Sequence, residues 1–263
     1  MLEGVNPGTV GTGTAVALFI GIMLAIAIGR WIGLRHVARF GAHSLDSVGS
    51  LETAVFALLG LLIAFTFSGA LARFDVRRAQ IVEEANSIGT AYLRIDLLPV
   101  AAQPRLRETF RDYVDARLAT YRKLPDVEAA RRELARSQDL QTDIWKQAVA
   151  AVQMPDVRPG TEILMMPALN QMFDITTVRV FATQMHPPLI VYAMLFALAL
   201  ASALLVGYQT AFEKGYDLVH QIGFAAITAF TLYVILDIEY PRAGWIRLDA
   251  IDQALVNVRA GMK

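Results

Sequence analysis

Two apolar runs at each end of the chain, with a polar, charge-rich stretch between them, constrain this sequence more than any motif in it. The runs are 14–29, 53–72, 187–212 and 218–236. The hydrocarbon core of a bilayer takes about 20 apolar residues at 1.5 Å rise each, and the second and third runs meet that outright. The first reaches it by continuing through Arg30 to Leu34, because a long cationic side chain can carry its charge out to the headgroups. The fourth is the shortest and holds His220 near its start. Four membrane-spanning helices follow. The 55% hydrophobic content of the chain is concentrated in them.

The rest of the composition removes whole classes of function. Lys+Arg and Asp+Glu both total 24, so there is no electrostatic footprint for nucleic acid, and none is expected as a partner. The absence of cysteine excludes disulfides, thiolate metal sites and cysteine nucleophiles together. There is no HExxH, no P-loop and no GxSxG; Gly11 and Gly13 lack the third glycine, the preceding strand and the following lysine of a phosphate loop. His36, His43, His186 and His220 are scattered, none paired with another at helical ligand spacing. His220 reads either as a hydrogen bond within the bundle or as a step in a proton or ion path. No enzyme activity, metal or cofactor is expected. The N-terminus does not read as a cleavable signal, since it has no basic n-region and leads into a run longer than a typical h-region.

The middle of the chain, 73–186, reads as helical. No proline interrupts 73–98, which continues straight out of the second run. Pro104 suits the first turn of a helix, and Leu106, Phe110, Val114, Leu118 and Tyr121 then recur at three- and four-residue steps as an amphipathic stripe. Asp126 is an N-cap for a helix to about Val152 with Leu134, Ile144 and Val149 among its apolar positions. Pro155, Pro159 and Gly160 mark a break, and a last helix starts near Thr161, contains Pro167 and runs toward Pro187. Met165 and Met166 read as core fillers. No alternating run is flanked by hairpin turn residues, so no strand is expected. Asp75, Arg77, Arg78, Glu83, Glu84, Asn86, Arg94 and Asp96 crowd the start of the region. They read as a solvated or interhelical ladder of ion pairs, with ion coordination by Glu84 as the sharper alternative.

The second run carries two stripes. Gly60, Ala64, Ser68 and Ala72 repeat every four residues, a flat small-residue surface of the kind that lets membrane helices approach closely. Beside it lie Ala57, Leu61, Phe65 and Gly69. Both stripes can pack inside a monomeric four-helix bundle. Alternatively, the small stripe packs on a neighbouring subunit and Leu61 and Phe65 turn toward a central axis.

The stretch LLIAFTFSGALARFDVRRAQIVEE at 61–84 resembles the bacterial bestrophin-like domain family, as do IGTAYLRIDLLP at 88–99, PALNQMFDI at 167–175, HPPLIVY at 186–192 and YVILDIEYPR at 233–242. That family is in turn distantly similar to the bestrophin anion channels. FTFSGALAR at 65–73 resembles their pore-lining helix, PLIVY at 188–192 the start of their third span, and DIEYP at 237–241 their acidic stretch after the last span. The resemblance implies a hydrophobic pore neck along Ala57, Leu61, Phe65 and Gly69, with Arg73 as a charge at the pore exit. It places a second, cytosolic constriction at Gly160, or at Ile163 with a shift in register. Ala57 and Gly160 are small where the family is bulky. The acidic cluster that binds calcium in bestrophins is thinned here to Asp237, Glu239, Asp249 and Asp252, so no metal is expected.

The fold implied is an all-α membrane protein, bestrophin-like, with a helical cytoplasmic domain inserted between the second and third spans. Its parts are 1–72, holding the first two spans; 73–186, the helical domain; 187–240, the last two spans; and a C-terminal cytoplasmic segment, 241–263. Orientation follows from charge. Arg73, Arg77, Arg78, Arg179, Arg242, Arg247, Arg259 and Lys263 lie on the face that receives both termini, against Arg30, Arg35, Arg39 and Lys214 on the other, which favours cytoplasmic termini. The first span alone argues the reverse, with no cation before it and three after. The resemblance implies a homo-oligomer, a pentamer, in the lipid of the bacterial inner membrane, conducting chloride ahead of cations. A non-conducting scaffold or sensor whose helical domain recruits a partner is the rival reading.

Overall fold

The computed structural model describes residues 7–40, 48–124, 126–211, 218–242, 244–248 and 250–263. His43, Lys214 and Asp249, all used in the sequence reading, lie outside them. Every regular element among the described residues is helical: α1 Pro7–Phe40, α2 Val48–Leu93, α3 Gln103–Arg122, α4 Val127–Val152, α5 Thr161–Ala182, α6 Leu189–Gln209, α7 Leu218–Glu239 and α8 Gln253–Gly261, with a short 3-10 turn at Arg94–Leu97. Four helices are long and apolar enough to cross a membrane, at Gly11–Arg39, within Glu52–Leu97, at Leu189–Gln209 and at Leu218–Glu239. The uninterrupted run from the second apolar segment becomes one helix of 46 residues, more than twice what a span requires. The helix expected to approach Pro187 stops earlier, at Ala182.

The chain divides into two compact units, Met1–Arg73 with His186–Tyr240, and Phe74–Met185 with Pro241–Lys263. In the first, α1 packs on α6 and, less extensively, on α7. The α1–α6 crossing is glycine-mediated. A Cβ on Gly29 would lie 2.0 Å from the Leu204 carbonyl oxygen, and one on Gly207 would lie 1.9 Å from that of Ile26. Only hydrogen fits there. Small residues at Ala199 and Ala203 continue this surface along α6, and Leu18, Ile22 and Ile26 of α1 are buried in the same unit. The membrane part of α2 is much less committed to its own chain. It buries Leu59, Thr66 and Ala70 and sets Phe56 edge-on to Phe224 of α7 at 5.7 Å, but only 17% of its most apolar stretch is buried.

The second unit has its own apolar core. The α3 stripe Leu106, Phe110, Val114, Leu118 and Tyr121 is buried, and Pro104 sits in the first turn of that helix. The Asp126 carboxylate accepts the Ala129 N–H and so caps α4. Ile88 of α2, Ile144 of α4, Met165 and Leu169 of α5 and Leu255 of α8 complete the core, with Met166 packed partly buried against it. Residues 241–263 therefore belong to this unit through α8, which packs on α3 and adds an Arg259–Asp115 pair at 2.9 Å. Arg77 is buried and donates to the carbonyls of Ala182 and Met185, at 3.1 and 2.9 Å, satisfying acceptors that the end of α5 leaves open.

Candidate functional site

An α-helix returns to the same face every 3.6 residues, so α2 sorts its membrane residues into three faces. The buried one is described above. On the second, Ala57, Leu61 and Phe65 are exposed, Phe65 at 69%, and Gly69 is half-buried with its space met by the Arg73 side chain. On the third, Gly60, Ala64, Ser68 and Ala72 are all exposed, and a Cβ on Gly60 would meet nothing within 4 Å. Neither stripe packs against the rest of its own unit. The close glycine contact that a small-residue motif promises is made instead between α1 and α6.

Just past the apolar stretch of α2, the Arg73 guanidinium grips the fully buried Glu239 carboxylate, Nε to Oε1 at 3.0 Å and Nη2 to Oε2 at 2.8 Å. His186 places Nδ1 3.0 Å from the same carboxylate and stacks on Tyr240 at 4.5 Å. A bidentate arginine–carboxylate pair is among the stronger hydrogen-bonded arrangements. The pair joins α2 to the end of α7 and reduces the bare positive charge that Arg73 would otherwise show. HPP at 186–188 and DIEYP at 237–241, quoted in the sequence as separate segments, are thus brought together by chemistry. His220 is exposed in the first turn of α7.

Glu84 has an ion pair, though not a solvated one. It is fully buried and held by Arg117 of α3, Nε to Oε1 at 2.6 Å, and by Arg179 of α5. Arg117 also donates to the Tyr121 hydroxyl at 2.7 Å. The Tyr121 ring lies under three guanidinium groups, Arg179 at 4.2 Å, Arg242 at 4.6 Å and Arg117 at 5.2 Å from its centroid. Arg242 in turn makes a bidentate pair with Asp252 at 2.7 and 3.0 Å, and Arg179 reaches the same carboxylate at 3.9 Å. Burial pushes the Arg179 guanidinium down to about 9, with the Asp252 charge opposing and Arg242 adding to the shift. Burial likewise raises the Tyr121 phenol, against the nearby Arg117 and Arg242 charges. The sequence reading missed this cluster. Its signal was Arg117, which falls on the buried stripe of α3 between Tyr113 and Tyr121.

Gly160 precedes α5 with φ +83°, a left-handed conformation that a side chain with a Cβ adopts only under strain. A bulky apolar residue is therefore disfavoured at this position. Ile163, three residues on, is 70% exposed. Among the described residues no group of three or more His, Asp or Glu could hold a metal ion. The Glu239 and Asp252 carboxylates are each engaged by arginine.

A family model for the Bestrophin-like domain matches residues 16–250. No curated protein and no solved structure matches the chain.

Proposed function

Because the chain belongs to the Bestrophin-like domain family, we propose that it is an ion channel assembled as a homo-oligomer, a pentamer, around α2 in the bacterial inner membrane, with its helical unit and both termini cytoplasmic. The observation that carries this reading is the poverty of contacts made by α2. A helix whose apolar stretch is only 17% buried leaves two ordered stripes for other surfaces. The small stripe Gly60, Ala64, Ser68 and Ala72 suits close packing on a neighbouring subunit. The adjacent stripe then points Leu61 and Phe65 at the axis as a hydrophobic neck, with Ala57 widening one end of it. Such a constriction gates by dewetting.

Anion preference in this reading comes from Phe65 more than from Arg73. A phenyl ring met edge-on presents the positive rim of its quadrupole, whereas the Arg73 charge is spent on Glu239. Chloride is the favoured permeant ion. Ile163 supplies the second constriction, because Gly160 holds a backbone conformation that a larger side chain would strain.

The test is Phe65→Ala in liposome flux or planar bilayers. Removing a phenyl ring per subunit from the neck raises conductance, and Leu61→Ala does the same more weakly because it removes less volume. A buried core phenylalanine behaves differently, since its truncation typically costs about 3–5 kcal/mol of stability. A wild-type protein that conducts nothing, together with a Phe65→Ala variant that only loses stability, ends the channel reading and leaves the scaffold.

A further inference from the structure

Three helices of the second unit meet at one ion-pair layer, and one turn along each of them stands a layer of hydroxyls. In the first layer Glu84 of α2 takes Arg117 of α3 on Oε1 at 2.6 Å and Arg179 of α5 on Oε2. The second, reached by moving three or four residues along each helix, holds Ser87, Tyr113 and Thr176. Thr176 donates to the Met172 carbonyl of its own helix at 3.0 Å, so the Tyr113 hydroxyl donates to Thr176 at 2.8 Å and accepts from Gln141 of α4 at 3.2 Å. Two groups stay outside this network. Ser87 is 4% exposed and its hydroxyl has no hydrogen-bond partner, and the fully buried Arg117 has none at Nη1. Arg117 donates from its other two nitrogens, Nε to Glu84 and Nη2 to the Tyr121 hydroxyl at 2.7 Å. The buried hydroxyls of Thr66, Thr120, Ser137, Thr176 and Ser202 each return to a carbonyl of their own helix at 2.7–3.0 Å. Ser87 does not, which leaves its hydroxyl for a partner off the helix.

We propose that Ser87 and Arg117 hold a buried water molecule between α2 and α3. A buried polar group left unpaired costs its full desolvation, and more where it is charged, so two such groups at one helix junction point to a shared partner. Glu84 and Ser87 are three residues apart, which puts them on one face of α2 with Cβ atoms about 5–6 Å apart. The Arg117 guanidinium is already bonded to Glu84 on that face. One water, bonded at about 2.8 Å on each side, covers that reach. The chemistry selects water over a halide. A water that accepts from Arg117 Nη1 and from the Ser87 hydroxyl needs acceptors for its own hydrogens. The Glu84 carboxylate offers them, because each of its oxygens takes one arginine and keeps a further lone pair. A halide would meet the same carboxylate as a like charge. A buried water typically makes about three hydrogen bonds, and Arg117, Ser87 and Glu84 supply three. Ala91 follows Ser87 by four residues, so this face of α2 carries short side chains, as a site for one water of about 30 Å³ requires. So held, the Arg117 guanidinium has all its nitrogens engaged, and α2 is tied to α3 through two residues rather than one. The site makes no use of the channel reading, and its test does not read conduction.

The experiment uses the full chain, in lipid nanodiscs for imaging and in dodecyl maltoside for unfolding. A density map that resolves ordered water shows a peak about 2.7–3.2 Å from Arg117 Nη1 and about 2.5–3.0 Å from Ser87 Oγ, and the peak is gone in Ser87→Ala. Urea unfolding read from Trp145, which packs on Phe173 in the same unit, supplies a sign. Ser87→Ala and Ser137→Ala make the same chemical change at buried helix positions, so the gain in helix propensity is common to both. Ser137 already bonds the Leu134 carbonyl of its own helix. With the water present, Ser87→Ala removes one of its three partners and brings the urea midpoint below that of Ser137→Ala. Without it, deleting an unpaired buried hydroxyl raises the midpoint above that of Ser137→Ala. Sodium chloride and sodium gluconate at matched ionic strength give the wild type the same midpoint. A map with no peak at that position, or a Ser87→Ala midpoint at or above that of Ser137→Ala, overturns the proposal. A saturable stabilisation by chloride that Ser87→Ala abolishes also overturns it, by making the occupant a halide.

Discussion

Two glycines in different membrane-spanning helices should respond oppositely to the same substitution. At Gly207 an added methyl would sit 1.9 Å from the Ile26 carbonyl oxygen, where a carbon and an oxygen need about 3.3 Å. Both atoms belong to helix backbone, so no side-chain rotation relieves the clash and the helices must separate by about 1.4 Å. A gap of about 0.5–1 Å already forfeits a quarter to a half of the dispersion well between facing atoms, and the loss extends to Ile22 and Ile26 on α1 and Ala199 and Ala203 on α6. Overpacking of this kind costs about 1–3 kcal/mol. The gain in helix propensity from glycine to alanine returns up to about 1 kcal/mol; a clash of backbone on backbone at 1.9 Å belongs at the upper end of the overpacking cost, about 3 kcal/mol, which leaves Gly207→Ala destabilised by about 2 kcal/mol. Gly60→Ala meets nothing within 4 Å in its own chain. It should be neutral or stabilising in the dissociated protein and should weaken only the oligomer. Titrating dodecyl-maltoside micelles with sodium dodecyl sulfate and following helix loss at 222 nm measures both variants. Gly207→Ala as stable as the wild type would refute the α1–α6 geometry. Gly60→Ala destabilised in the monomer would place α2 against its own chain.

The Glu84 ion pairs and the α2 stripe yield two further outcomes. Glu84→Ala leaves the buried Arg117 and Arg179 facing each other without a carboxylate, a change that costs about 3–5 kcal/mol; Glu84→Gln, which keeps an acceptor oxygen for Arg117, should lose less. Guanidinium unfolding read from Trp145, which packs edge-on to Phe173 in the helical unit, ranks them, and equal stability for Glu84→Ala and wild type contradicts the buried pair. Ala64→Leu or Ser68→Leu should abolish the oligomer on native gels while leaving membrane insertion intact, and an unchanged assembly shows that this stripe faces lipid.

Much of the secondary structure was legible because its causes are local. Pro104 opening α3, Asp126 capping α4 and the pair of prolines before Gly160 each act within a turn of the chain, and the helices begin and end accordingly. The spans were legible for an equally simple reason, since a length of apolar sequence is a property of consecutive residues. Glycine spacing was harder. Gly60, Ala64, Ser68 and Ala72 form the more regular small-residue repeat, yet the intrachain contact uses Gly29 and Gly207, because which small surface meets another depends on how helices cross. Glu84 was read as part of a solvated or interhelical ladder of ion pairs, and the interhelical form is the one found, but its partners could not be named. Its partners lie 33 and 95 residues away, a separation to which helical spacing within one element is blind.

The sequence by itself determined that this chain is helical and membrane-spanning, with a polar helical region between two pairs of apolar runs, and it carried the family resemblance in segments from 61 to 242. Those conclusions rest on hydropathy, periodicity and local motif, which need no knowledge of what touches what. Only the tertiary structure decided that Glu239 is held by Arg73 and His186, that the tail from 241 folds into the helical unit, and that five arginines gather about Tyr121 and the cleft beside it. Each of these joins residues far apart in the chain, and a buried charge finds its partner through the packing of helices rather than through its neighbours in sequence.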